Sequence, residues 1–188
     1  MRQGLTTCRS TGAEIARPRY LALLAEAYGN AGQTDEGLAL LAEALTVVQT
    51  TGERFYEAEL YRLKGELSLQ SGQVETSRSK PRRVRSPQSA VKKGSRFNGQ
   101  RSKSLTPNTR QEAEECFQKA IEIAQRQSAK SLELRAVMSL SRLWQQRGKK
   151  DEARQMLAGI YGWFTEGFDT ADLKEARVLL EELAPVKS

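Results

Sequence analysis

The sequence predicts an all-α chain: an α-α superhelix of stacked helical hairpins with one disordered basic insertion. Three observations lead there. An apolar pattern with helical spacing returns along the chain, most of the positive charge sits in one Ser- and Pro-rich segment, and histidine is absent from the 188 residues.

The pattern is most complete in two places. Leu21, Leu24, Ala25 and Tyr28 are followed by Gly32, then by Gly37, Leu41 and Ala44. Val137, Leu140, Ser141 and Trp144 are followed by Gly148, then by Ala153, Leu157 and Ile160, at identical spacing. Positions i, i+3, i+4 and i+7 form one face of a helix. The glycine after each first helix suits a left-handed C-terminal turn. Between them, Tyr61, Gly65, Ser68 and Gly72 open a middle unit that resumes at Ala113, Phe117 and Ala120. The small residues Ala25, Ala44 and Gly65 are expected where helix backbones approach closely. Tyr28 and Trp144 are expected to fill the space between hairpins. A hairpin of this kind cannot bury its face alone, and stacking buries it.

Half a hairpin is expected before the three units, at residues 1–9, because Ser10, Thr11 and Gly12 echo Thr50, Thr51 and Gly52. The chain thus reads as beginning within a repeat, with an open apolar edge through which copies would self-associate. At the other end, Asp169 or Thr170 is placed to cap a last helix with Leu173, Ala176, Leu180 and Leu183 on one stripe. Lys174, Glu175, Glu181 and Glu182 mark it as a polar capping helix.

Residues 74–110 hold eleven Lys or Arg and one acid, Glu75, a local charge of +10 within a chain whose net charge is +7. The rest of the chain is mildly acidic. Residues 75–108 contain seven serines with Pro81, Pro87 and Pro107, and read as a loop between the two helices of the middle hairpin. The domain reading is therefore repeats over 1–74, insertion over 75–108, and repeats with the capping helix over 109–188. A capping box, Thr109 to Glu112, is expected to restart the helix. Lengthening a turn from about 4 to about 40 residues costs roughly 2 kcal/mol of closure entropy, which a stack tolerates.

Without histidine, most zinc sites, the Ser-His-Asp and Cys-His systems and the commonest general base are excluded. Cys8 and Cys116 cannot close a zinc site by themselves and read as reduced, buried apolar residues. Residues 94–99 have phosphate-loop glycine spacing, but Gln100 and Arg101 stand where Lys and Ser or Thr are required. Glu114 and Glu115, like Glu181 and Glu182, are helix neighbours about 100° apart and read as solvated faces. Trp144, Trp163, Phe164 and Phe168 read as core packing. No catalytic residue, cofactor or metal is expected. No apolar run is long enough to span a membrane, residues 1–9 lack the apolar core of a signal peptide, and cytoplasm is the expected location.

The residues resemble the tetratricopeptide repeat, in which a large residue, Leu, Gly or Ala and Tyr mark one helix, and Ala, Phe or Leu and Ala the next. The likeness covers nearly all of the chain outside the insertion. Leu21, Tyr61 and Val137 stand in place of the family's Trp, Lys64 in place of Leu and Ser68 in place of Tyr. Gly32 and Gly72 lie 40 residues apart, against a usual period of about 34. The stretches beginning at Arg17, Gly52, Glu112 and Ile160 are also similar to the C-terminal repeats of large bacterial signalling proteins. Those proteins carry a class III adenylate/guanylate cyclase domain and an AAA-type ATPase module, neither of whose catalytic parts is found in this sequence. The resemblance implies an interaction or regulatory segment, or a truncated paralogue, with a cytoplasmic role.

If first helices line the concave side, the partner groove is formed by Arg19, Leu23, Glu26 and Asn30, then Arg62, Glu66 and Gln70, then Arg135, Met138, Arg142 and Gln146. Arg19, Arg62, Arg135 and Arg142 read as hooks for carboxylates of a protein or peptide partner. The Lys/Asn clamp that some tetratricopeptide domains use for C-terminal carboxylates is not matched. Nucleic acid or another polyanion is the alternative ligand, through Arg82, Arg83, Arg85, Lys92, Lys93, Arg96, Arg101 and Lys103. A solvated insertion without a ligand is the preferred reading of that segment, since Phe97 is its one aromatic residue.

Overall fold

Pro18 sets the start of the first helix, where a missing N–H costs nothing. The computed structural model describes residues 16–78 and 107–184, and among them seven helices form and no strand. They are α1 (Arg17–Asn30), α2 (Thr34–Thr51), α3 (Glu57–Arg78), α4 (Pro107–Arg126), α5 (Lys130–Gln146), α6 (Lys150–Tyr161) and α7 (Ala171–Glu182). Residues 1–15, 79–106 and 185–188, with the expected half hairpin at 1–9, Cys8 and the eight proposed polyanion-binding residues, lie outside the described residues.

Each helix packs on the next. In addition α1 touches α3, α3 touches α5 and α5 touches α7. Among the described residues no such contact joins α2 to α4 or α4 to α6. The odd helices therefore form one row, closer together than the even ones.

The core follows the apolar stripes. Leu21, Ala22 and Ala25 of α1 meet Leu41, Ala44 and Val48 of α2 and Leu60, Leu63 and Leu67 of α3. Phe117 of α4 joins Ala113, Leu140 and Leu143. Leu134, Val137 and Met138 of α5 continue through Ala153, Leu157 and Ile160 to Leu173, Ala176 and Leu179 of α7. Close approach depends on glycine at two places. One methyl of Leu67 occupies the space beside Gly29, and the other would lie 2.7 Å from a Cβ at Gly37. A Cβ at Gly65 would lie 2.6 Å from the Phe117 ring.

Gly32 and Gly148 take the left-handed conformation expected of them, with φ of 76° and 80°. The following amides close the turn, Gln33 N–H donating to Tyr28 O and Lys149 N–H to Trp144 O, at 2.9 and 3.0 Å. The same motif ends α4, where Ala129 N–H donates to Ala124 O at 2.9 Å. There the left-handed residue is Ser128, with φ of 55°, and glycine would hold it without a Cβ penalty. Ser128→Gly is expected to raise stability by about 0.5–1 kcal/mol, visible as a higher midpoint in urea.

Several expectations are corrected. Gly72 lies inside α3, which continues to Arg78 because no proline occurs before Pro81. Helix α4 begins at Pro107, a residue that fits a first turn, so residues 75–78 and 107–108, expected to belong to the insertion, are helical. Thr109 is accordingly a first-turn residue rather than a cap, and Asn108 Nδ2 donates to Glu112 at 2.6 Å. Thr170 occupies the cap of α7, yet its hydroxyl donates backward to Gly167 O at 2.7 Å. Glu114 is not solvated: it accepts from Trp144 Nε1 at 2.7 Å and pairs with Arg147. Trp163 and Phe168 are exposed in the turn before α7, off any helix face, where Trp163 packs edge-on against Phe164 and Phe168 against Tyr161. Cys116 is a free thiol but only half-buried, and burial pushes its pKa up.

Candidate partner-binding groove

The row of odd helices carries a groove of about 230 Å³ to which all four contribute. Glu26 comes from α1, Arg62 and Glu66 from α3, Arg135, Met138, Ser139 and Arg142 from α5, and Asp172 and Glu175 from α7. Helical spacing explains the set. Arg62 and Glu66 are one turn apart, as are Arg135, Met138 and Arg142, so each group lies along one face. Six residues expected in a groove are thus brought together: Glu26, Arg62, Glu66, Arg135, Met138 and Arg142.

Arg19, Leu23, Asn30, Gln70 and Gln146 do not line it. Arg19 instead borders a separate apolar hollow with Pro18, Phe55 and Tyr56. Leu23, Asn30, Gln70 and Gln146 are exposed. Of α1 the lining takes only Glu26, near the helix C-terminal end, and of α7 only Asp172 and Glu175, near the helix start.

The guanidiniums are not open hooks. Arg62 donates to both oxygens of Glu59 at 2.8 Å and to Glu66 at 2.5 Å. Glu66 also accepts from the Ser139 hydroxyl at 2.8 Å. Arg135 donates to Asp172 at 2.8 Å and to Glu59 at 3.4 Å. Arg142 donates to Glu175 at 2.5 Å. Glu59, 4% exposed, is the centre of a network joining α3, α5 and α7.

Electrostatics follow from these contacts. Burial pulls the Arg62 pKa down, but the hydrogen bonds and charges of Glu59 and Glu66 outweigh it and leave the pKa above its usual value. The Asp172 hydrogen bond raises that of Arg135, against burial and with help from Glu59. Tyr56 is raised by burial and then by Glu59. Both guanidiniums therefore stay charged. The lining presents four carboxylates to three guanidiniums, leaving the groove amphoteric and slightly acidic.

Sequence reasoning missed Glu59, Ser139, Asp172 and Glu175. The spacing of Glu59, Arg62 and Glu66 at i, i+3 and i+7 was a usable signal for the first of these. No helix among the described residues is long and apolar enough to cross a membrane. No family model and no curated protein matches the chain.

Proposed function

We propose that the chain is a tetratricopeptide-like α-α superhelix and serves as a non-catalytic interaction module, holding a peptide or helix of a partner protein across the groove. The observation that carries this reading is the construction of the groove from one face of each of α1, α3, α5 and α7. In a curved stack of hairpins, first helices line the inner side. The contacts between odd helices, without counterparts between even ones, support that curvature. The resemblance noted in the sequence supports the setting, a cytoplasmic scaffold in a bacterial signalling system with cyclase-associated relatives.

The pairing defines how a partner binds. A partner carboxylate has to replace an internal one. Arg142 and Glu175, with side chains 39% and 58% exposed, form the groove pair most open to exchange. An exposed pair contributes about 0–1 kcal/mol, so giving it up costs little. Met138 supplies an adaptable apolar floor. Partner cations are met by Glu26.

The test is to capture protein partners from a bacterial lysate, identify one, and measure its affinity by calorimetry for the full chain and for Arg142→Glu. Affinity is expected to fall at least about tenfold, or 1.4 kcal/mol, with helicity unchanged. An unchanged affinity removes the groove from the function. The alternative reading, polyanion binding through Arg82 to Lys103, is favoured by the local charge of that segment.

A further inference from the structure

The first helix exposes a face that its counterparts bury. Tyr20 and Leu23 are 49% and 39% exposed. The repeat spacing places Leu60 and Leu63 at the same positions in α3, where they are 0% and 3% exposed, and Ala136 and Ser139 in α5, at 0% and 6%. Ala27 is exposed too, whereas its counterparts Leu67 and Leu143 are buried. In α3 this face is covered by Leu41, Ala44 and Val48 of a helix from the preceding hairpin. What fits the position is therefore known from within the fold: a helix presenting an apolar strip with small residues.

We propose that the α1 face docks the α1 face of a second copy of this chain, in a two-fold antiparallel pair. Ala16, Tyr20, Leu23 and Ala27 follow one another at intervals of four, three and four, the seam spacing of paired helices. All four are exposed. Tyr20 and Leu23 are the large residues and Ala16 and Ala27 the small ones, so that one strip interdigitates with its inverted copy.

Charge favours the same arrangement. Arg19 and Glu26 lie on one flank of the strip, four residues before Leu23 and three after it. Neither forms an ion pair among the described residues. A two-fold axis near Leu23 sets Arg19 of each copy opposite Glu26 of the other, which is the self-complementarity an isologous contact requires. Among the described residues α7 offers no match for a head-to-tail contact, since it carries exposed Lys174, Arg177 and Glu181 around Val178. This contact shares Glu26 with the groove and otherwise rests on α1 alone.

The experiment is sedimentation equilibrium of the full chain over about 5–500 μM, with circular dichroism as the check on folding. A dimer is expected, weakened at least about tenfold by Leu23→Glu and by Arg19→Glu, and restored towards wild type by Arg19→Glu combined with Glu26→Arg. The exposed sites keep the variants folded. A monomer throughout overturns the proposal, whether residues 1–15 or solvent cover the face. So does a dimer indifferent to Leu23→Glu, or one that the charge swap fails to restore.

Discussion

Replacing Phe117 by alanine is expected to lower stability by about 3–5 kcal/mol, the range for removing a fully buried aromatic ring. Phe117 is 1% exposed and packs with Ala113, Leu140 and Leu143. Its edge also fills the space left by the missing side chain of Gly65. One ring thus fastens α3, α4 and α5, and the cavity left by its loss is walled by three helices that cannot all close in. For a domain of this size the melting temperature falls by roughly 10 °C. The glycine supplies an internal check. Gly65→Ala alone is expected to destabilise, despite the better helix propensity of alanine, because its Cβ would meet a ring with no room to move. Combined with Phe117→Leu, the same change should cost less than the sum of the two. Strict additivity in chemical denaturation contradicts that packing account.

The second large effect concerns Glu59. Its two oxygens hold Arg62, and one of them also reaches Arg135. Replacing Glu59 by leucine leaves Arg62, whose side chain is 11% exposed, with Glu66 and the more distant Ser139 hydroxyl. Removing one member of a buried pair commonly costs about 3–5 kcal/mol, and the surviving Glu66 contact places this case near about 2–4 kcal/mol. The double replacement, Glu59→Leu with Arg62→Met, removes the stranded charge along with its partner. It is expected to recover most of that loss, to within about 1 kcal/mol of the parent, because apolar residues of similar volume replace buried ion pairs well. Urea midpoints for the parent and the two variants check this. A double variant as unstable as Glu59→Leu alone would show that the network contributes more than its pairs.

Much of the fold was legible from local rules. The i, i+3, i+4, i+7 stripes led to the helices, and Gly32 and Gly148 to the turns that close α1 and α5. Gly72 misled, since glycine is tolerated inside a helix when packing favours continuation. Pro107 misled in the other direction, because a proline that ends one element can also begin the next.

The groove was legible on single helices and not between them. Arg62, Glu66, Arg135 and Arg142 could be placed on one face by spacing alone. That Asp172 and Glu175 meet two of those guanidiniums depends on how α7 crosses α5, a contact 33 to 37 residues away in sequence. For the same reason the arginines read as free hooks, although three of them are engaged. Arg19 and Leu23 read as groove residues because first helices are expected to line the concave side, and what sets them apart is that α1, among the described residues, has no hairpin before it.

The most direct test of the central reading compares an identified partner's affinity for the full chain and for a version lacking residues 79–106, each measured across a range of salt concentrations. If the groove is the functional surface, both bind with similar affinity and a shallow salt dependence. Binding that vanishes with the deletion, and that weakens steeply with salt in the full chain, contradicts the groove and assigns the function to the basic segment.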